Sequence, residues 1–245
     1  TVEVFTDQFG VPHVFANNEE DLFLVAGYIA ARERLFQMSM VLNAVRGELA
    51  SMLGDEYLSA DIYLRTWRIH DISKKITEKM DLKTKKIMEA FCQGINFWID
   101  ETSDDLPLEF RILGIKPQYW QPSDVVGYSR MLAHELQSSW KAEIIYGAVA
   151  QFFGMNKLAE IYPGYSETQP KISEHLKKEE TKLVYDKILE NEFFIRDLLH
   201  FRSPNIGSNS WVLSGALTET GKPLLANDPH LDFTQPARWY EMHLK

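Results

Sequence analysis

The sequence has 245 residues, of which 45% are hydrophobic and 25% charged, and its formal net charge is −9. This composition is typical of a globular protein with enough chain for a large core. The acidic balance argues against a nucleic-acid partner, and no apolar run approaches the length of a membrane-spanning helix, so we expect neither nucleic acid nor membrane as a partner.

The first part of the chain predicts a hairpin followed by a long helix. Two strand-like segments, residues 2–5 and 12–16, flank a turn at 7–10. Asn18 precedes three carboxylates, a pattern typical of a helix N-cap, and the following helix should run towards Leu42 and end near Gly47. Within it, Arg32, Glu33 and Arg34 are expected to form ion pairs rather than to act as catalysts.

Two further helices are predicted in the middle of the chain. Apolar residues at helical spacing indicate a helix over 83–100, in which Cys92 should be an inert core thiol. Residues 104–123 read as a proline-rich loop. Ser123 should cap a third helix over 124–153, whose apolar seam is formed by Tyr128, Leu132, Leu136 and Trp140.

The last third of the chain differs in composition and in predicted secondary structure from the helical part before it. Residues 154–170 read as irregular, and the highly charged segment 171–201 indicates a solvated spacer with few core positions. Strands are predicted at 211–214 and 223–227, and a strand-like end without a stop signal predicts that the parent protein continues. Helices first and strands last give an α+β class. We divide the chain into a helical region (1–170), a spacer (171–207) and the start of a sheet region (208–245).

The junction at Gly207-Ser208 has the chemistry that a self-processing amide hydrolase needs. Cleavage before Ser208 would leave a residue with both a nucleophilic hydroxyl and a free α-amine. The amine has an ordinary pKa of roughly 7.7–8 and can therefore act as a base near neutral pH. The alternative is a Ser/Asn turn that enters a hairpin and has no catalytic role.

Five segments in the same order resemble the penicillin acylase family of N-terminal nucleophile hydrolases. They are residues 7–14 (DQFGVPHV), 27–38 (GYIAARERLFQM), 46–50 (RGELA), 207–211 (GSNSW) and 227–231 (NDPHL). The resemblance implies a precursor that cuts itself between Gly207 and Ser208 into a helical α chain and a longer β chain. It implies the first strands of an αββα core, with the remainder of the β chain as partner and the oxyanion donors further along. It also implies a periplasmic or extracellular location.

The same resemblance assigns roles to individual residues. Ser208 would be the nucleophile towards a small-molecule N-acyl amide, with no cofactor for catalysis, and His230 would touch that nucleophile. Glu143 would help to bind a structural calcium ion. An acyl pocket would include Met131, Leu132, Glu135 and Leu136.

Several alternatives remain open at this point. His230 could be held by local hydrogen bonds at a strand end, Glu143 could be solvated, and Leu132 and Leu136 could belong to the core. The parent protein could be an acyl-homoserine lactone acylase, or the helical region could be a non-catalytic ligand-binding module. The chain as given could also be an unprocessed or incomplete, inactive fragment.

Overall fold

The computed structural model of the protein describes residues 1–137, 139–162, 178–199 and 207–245, and for residues 178–185 it gives the backbone alone. The helices are α1 Glu19–Arg46, α2 Leu49–Leu53, α3 Leu58–Trp67, α4 Ile69–Glu78, α5 Leu82–Glu101, α6 Leu108–Leu113, α7 Pro122–Leu136, α8 Ser139–Phe153, α9 Met155–Ile161 and α10 Lys178–Leu198. The strands are β1 Val2–Thr6, β2 Pro12–Ala16, β3 Gly207–Leu213, β4 Leu224–His230 and β5 His243–Leu244. Helices with a few strands in small sheets confirm the α+β class.

The predicted N-terminal hairpin is present and is extended by the end of the chain. The amides of Phe9 and Val11 donate to the carboxylate of Asp7 at 2.9 and 3.0 Å, which closes the turn between β1 and β2. β5 then pairs parallel to β2, with His13 opposite His243. The last residues of the chain therefore lie beside the first ones, in a sheet of order β1-β2-β5.

Helices α1 and α5 cross with their backbones in direct contact. A Cβ atom added to Gly94 would lie 1.8 Å from the carbonyl oxygen of Leu24, and one added to Gly27 would lie 2.0 Å from that of Phe91. No residue larger than glycine fits so close an approach. Beside this crossing, Cys92 is 3% exposed, and burial raises the pKa of its thiol to about 12. The prediction of an inert core cysteine is confirmed.

Cys92 belongs to a first core cluster, which lies between α1 and α5. A second core cluster lies where α3, α7 and α10 meet the end of α1. Leu64 of α3, Met131 of α7 and Ile195 of α10 are all buried in it, as is Leu199, and Leu231 packs against it from the C-terminal segment. In residues 186–199, Glu192, Ile195 and Leu199 are buried, so this part of the charged segment packs on the core with one face. Residues 171–177 and 200–206 lie outside the described part of the chain, and the three-part division of the chain stays a prediction.

The predicted third helix is two helices. α7 ends at Leu136, Gln137 has extended backbone angles (φ −85°, ψ 113°), and α8 begins at Ser139. Helical spacing of apolar residues continues across this break, so periodicity alone could not reveal it. Helices α6 and α9 also lie where loops were predicted, and α2 to α4 fill residues 49–78.

The start of α7 differs from the prediction as well. Its N-cap is Gln121 and not Ser123, and the backbone amide of Gln121 donates to the carboxylate of Asp124 at 3.0 Å. Asp124 is fully buried and also accepts a hydrogen bond from Arg46 at 2.7 Å. One carboxylate thus closes the first turn of α7 and ties it to the end of α1.

Within the described ranges, none of the helices combines the length and the apolar composition that a membrane crossing requires.

Candidate active site

The Gly207-Ser208 junction opens strand β3, which pairs antiparallel with β4. Gly207 lies opposite His230, and Ser208 lies opposite Pro229. Both strands are exposed along their whole length. A two-stranded hairpin is marginal on its own, so its position depends on what holds its ends and on any further strands that join it.

The hydroxyl of Ser208 lies beside the carbonyl group that self-cleavage would attack. Ser208 Oγ donates a hydrogen bond to the carbonyl oxygen of Gly207 at 2.7 Å. Ser208 is exposed in this structure. The hydroxyl of Ser208 and the Gly207–Ser208 peptide group are therefore neighbours.

His230 lies on the other face of this hairpin. Side chains alternate between the two faces of a strand, and directly opposed residues share a face. Because Ser208 is opposite Pro229, His230 projects away from the Ser208 side chain. Its Nε2 atom lies 2.8 Å from Oδ2 of Asp228 instead. The structure thus places His230 in a local hydrogen bond, and its contact with the nucleophile stays a prediction.

Next to the junction, a second serine has a cross-strand partner. Ser210 Oγ donates to Oδ1 of Asn227 at 2.7 Å, across the β3–β4 pair. Asn227 and Asp228 both lie within β4.

Four residues predicted for an acyl pocket lie on the last two turns of α7 and have different environments. Met131 is fully buried in the second core cluster, and Leu132 packs against the same cluster. Leu136, next to the break before α8, is 45% exposed. Of these four residues, Leu136 is exposed and Leu132 is half-buried, and the pocket stays a prediction.

Glu135, the fourth of these residues, is buried and paired. Its side chain is 3% exposed, and Nη2 of Arg238 donates to its carboxylate. Arg196 of α10 donates to its backbone carbonyl at 2.8 Å. Burial raises the pKa of Glu135 to about 7, against the lowering effect of Arg238 and Arg196. The partner that a carboxylate beside the core requires is thus Arg238.

A buried charged cluster absent from the predictions centres on Glu192 of α10. Its side chain is 2% exposed; Tyr63 Oη donates to it at 2.8 Å and Lys141 Nζ at 3.3 Å, and His134 Nε2 lies 3.5 Å away. Burial alone would raise the pKa of Glu192, but the neighbouring His134, the hydrogen bond from Tyr63 and the charge of Lys141 lower it to about 2. This ionised carboxylate ties α10 to α3, α7 and α8.

The charged residues in the middle of α1 contact each other and the C-terminal segment. Arg32 Nε pairs with Glu33 at 2.8 Å, and the guanidinium of Arg34 lies over the ring of Tyr240, 4.9 Å from its centroid. Arg34 also interrupts the helix with non-helical angles (φ −139°, ψ 15°). Arg32 and Glu33 thus form the expected ion pair, whereas the contact of Arg34 is with an aromatic ring.

The residues described here do not form a calcium site by themselves. Glu143 is exposed on α8, and the described residues contain no group of three or more His, Cys, Asp or Glu side chains that could hold a metal ion. Calcium takes six to eight oxygen ligands, so Glu143 could contribute only one part of such a site. The calcium assignment stays a prediction.

Comparison with known proteins places the whole chain in one family. The family model described as penicillin amidase matches residues 1–245. The chain is 26% identical to penicillin acylase 2 proenzyme from Pseudomonas sp. (strain SE83), over 99% of this chain and 32% of the relative. It is 25% identical to the acyl-homoserine lactone acylase QuiP from Pseudomonas aeruginosa, over 100% of this chain and 29% of the relative.

A solved structure shares the fold. The thermostable penicillin G acylase from Alcaligenes faecalis matches with a TM-score of 0.58 and 23% identity, over 72% of this chain and 98% of the solved chain. The sequence spans about a third of the length of the curated relatives it matches.

Proposed function

The chain belongs to the penicillin amidase family, and from that premise we propose that its full-length protein is an acylase that activates itself by cleavage between Gly207 and Ser208. The observation that carries the proposal is the 2.7 Å hydrogen bond from Ser208 Oγ to the Gly207 carbonyl oxygen. It holds the hydroxyl beside the scissile peptide group. The relatives named penicillin acylase proenzyme and acyl-homoserine lactone acylase support both the processing and the amide chemistry.

The proposed self-cleavage is an acyl shift followed by hydrolysis. Ser208 Oγ attacks the carbonyl carbon of Gly207, and the hydroxyl proton passes to the nitrogen of Ser208 as the peptide C–N bond breaks. The product is an ester between the Gly207 carbonyl and Ser208 Oγ. Water opens this ester and leaves a carboxylate on Gly207, with a free hydroxyl and a free α-amine on Ser208.

In turnover the freed amine of Ser208 is the proposed base. It takes the hydroxyl proton as Oγ attacks the carbonyl carbon of the substrate amide, and it returns that proton to the leaving amine. The acyl-enzyme is then hydrolysed by water. No metal or cofactor is required for this sequence, and the oxyanion donors are proposed to lie in the part of the β chain that follows residue 245.

The substrate is proposed to be a small N-acyl amide with an apolar acyl group. The exposed side of Leu136 and the edge of Leu132, at the break between α7 and α8, supply the apolar surface. Acyl-homoserine lactones are the second candidate, because the relatives of that name match the chain as closely as the penicillin acylase does. Both are cleaved by the same chemistry.

Three further properties belong to this proposal. The two products of cleavage would stay together as an α/β heterodimer, a structural calcium ion would use Glu143 among other ligands, and the protein would act in the periplasm or outside the cell. The pairing of β5 with β2 supports the heterodimer, since it joins segments from either side of the junction.

The experiment is to express the full-length protein and measure intact masses over time. Wild type should give two chains that separate at Gly207-Ser208, whereas Ser208→Ala should remain a folded, inactive precursor. Ser208→Cys should still cleave itself, because a thiol can perform the same acyl shift. The matched control is Ser210→Ala, two residues along the same strand, which should process normally. Normal chain separation in Ser208→Ala would exclude Ser208 as the nucleophile.

A further inference from the structure

Two histidines that are far apart in the sequence lie side by side in the N-terminal sheet. His13 of β2 is paired with His243 of β5, and the Nδ1 atoms of the two rings are 3.0 Å apart. The ring centroids are 5.1 Å apart, with an angle of 77° between the ring planes. Two ring nitrogens from different strands therefore converge on one position between β2 and β5.

The surrounding backbone and one aromatic side chain hold the two rings in this arrangement. The amide of Ala16 donates to the carbonyl of Lys245, and the amide of Lys245 donates to the carbonyl of Val14, both at 2.9 Å. The ring of Phe15 packs edge-on against His243, with 5.7 Å between the centroids. Strand pairing and aromatic packing thus provide the support that a preformed pair of ligands requires.

Asp7 determines which nitrogen of His13 is free to bind a ligand. Its Oδ1 atom accepts from the amides of Phe9 and Val11 in the turn, and its Oδ2 atom lies 3.3 Å from Nε2 of His13. The hydrogen bond from Val11 and the contact with His13 lower the pKa of Asp7, so the carboxylate is ionised near neutral pH. An ionised carboxylate only accepts, so Nε2 of His13 carries the hydrogen and Nδ1 keeps its lone pair.

This is the arrangement in which proteins commonly hold a transition-metal ion on a histidine. A metal-binding histidine usually donates its second ring N–H to a carboxylate, which fixes the tautomer and the orientation of the ring. Asp7 and His13 have this relation, and His243 supplies a second nitrogen at the same position. Imidazole nitrogen is a suitable donor for Zn²⁺, Cu²⁺ and Ni²⁺.

The distance between the two nitrogens favours copper among these ions. Imidazole nitrogen lies about 2.0–2.1 Å from a bound metal, so two nitrogens at right angles are about 2.9 Å apart and two at the tetrahedral angle about 3.3–3.4 Å. The distance of 3.0 Å between His13 and His243 is close to the right-angle value. Right-angled positions are typical of tetragonal Cu²⁺ and Ni²⁺ sites, whereas zinc prefers a tetrahedron, and Cu²⁺ binds nitrogen donors more tightly than Ni²⁺ does.

We propose that His13 and His243 form a two-histidine site for Cu²⁺, in which Asp7 orients His13 and water takes the remaining positions. When the ion binds, Nδ1 of His243 releases its hydrogen and Nε2 of the same ring takes one up, so the ring stays neutral and both Nδ1 atoms donate lone pairs. The site takes no part in amide hydrolysis.

The position of the site in the chain gives it a consequence for the processed protein. β2 precedes the Gly207-Ser208 bond and β5 follows it, so after cleavage the ion would link the α chain to the β chain. This consequence rests on the proposed function, whereas the site itself does not.

The test is a copper titration of the full-length protein in its uncleavable Ser208→Ala form, without an affinity tag and after a chelator has removed bound metals. Calorimetry should detect Cu²⁺ binding, and electron paramagnetic resonance should show two nitrogen donors. His13→Gln and His243→Gln should each weaken binding by at least about 10-fold. Asp7→Asn, which keeps an acceptor for the turn but not for His13, should weaken it by roughly 10-fold. Zn²⁺ should bind more weakly than Cu²⁺.

His230→Gln is the matched control, because His230 also pairs with a carboxylate, Asp228, at 2.8 Å but lies on another hairpin. It should bind Cu²⁺ as the Ser208→Ala form does. Melting temperatures without metal show whether each variant folds, and His243→Phe, which removes the nitrogen but keeps an aromatic ring, is a second variant that should not bind. Unchanged binding in both His13→Gln and His243→Gln, an equal loss in His230→Gln, or tighter binding of Zn²⁺ than of Cu²⁺ would overturn the inference.

The copper site and the proposed self-cleavage can fail independently. In the cleaved wild-type protein, Cu²⁺ should raise the temperature at which the two chains separate, and a chelator should reverse the effect. If the protein binds Cu²⁺ at His13 and His243 but never cleaves itself, the proposed function fails and the site stands. If it cleaves itself and both histidine variants bind Cu²⁺ like wild type, the site fails and the proposed function stands.

Discussion

Replacement of Glu192 by glutamine tests whether α10 is an integral part of the fold. The pKa of Glu192 is lowered from 4.5 to about 2 by its partners, despite the opposing effect of burial. At about 1.4 kcal/mol per pKa unit, this shift corresponds to about 3 kcal/mol of stability at neutral pH. Since the folded-state pKa is depressed, that stability is present above about pH 4.5 and is lost as the pH falls towards 2.

The assay is denaturant unfolding of wild type and Glu192→Gln between pH 7 and pH 3. We expect the variant to be less stable by about 3 kcal/mol at pH 7 and the difference to shrink steadily below pH 4.5. Glu190→Gln, an exposed position two residues away on the same helix, is the matched control and should change stability by less than about 0.5 kcal/mol. If the stability difference between wild type and Glu192→Gln were the same at pH 7 and pH 3, the reasoning would be refuted. If Glu192→Gln did not change the free energy of unfolding at all, α10 would behave as a loose spacer.

Two further predictions concern packing and specificity. Gly94→Ala should lower the free energy of unfolding by about 3 kcal/mol or more, because its Cβ would lie 1.8 Å from the carbonyl oxygen of Leu24. Gly114→Ala, where a Cβ would have open space but φ is +66°, should cost only about 1–2 kcal/mol, and similar losses in denaturant unfolding would count against the helix-contact argument. Leu136→Phe in the full-length enzyme should change the ranking of substrates with different acyl chains while stability stays within about 0.5 kcal/mol, since this residue is 45% exposed. An unchanged ranking together with a loss of stability would place Leu136 in the core.

The elements that the sequence predicts well are those with a local physical signal. The turn at Asp7 is stabilised by its own carboxylate, and the start of α1 by the Asn18 side chain, which accepts from the Asp21 amide at 2.8 Å. The end of α1 has Gly47 in a left-handed conformation, with φ +64°. The break at Gln137 has no such signal, because the apolar spacing runs through it.

The residues of the candidate site also differ in how far the sequence predicts them. Ser208 is predicted from the five ordered segments that resemble the family, because a glycine–serine pair alone is also compatible with a turn. The side on which His230 lies depends on strand register, and a shift of one residue would move it to the face of Ser208. That register follows from the pairing of Ser208 with Pro229, which the composition of either strand does not reveal.

The packing of α10 on the core is hard to predict from the sequence, because a glutamate occupies its buried stripe. Glu192, Ile195 and Leu199 are spaced by three and four residues and face the core, and Ile188 packs against the same cluster, but a charged residue within this stripe obscures its apolar pattern. The carboxylate of Glu192 also fixes the position of α10 along its axis, which apolar contacts alone do not. A slide of α10 by one turn, about 5.4 Å, could retain apolar contact but would leave Glu192 and Lys141 buried without each other. Breaking a buried pair in this way costs roughly 3–5 kcal/mol, so the ion pair fixes the position of α10.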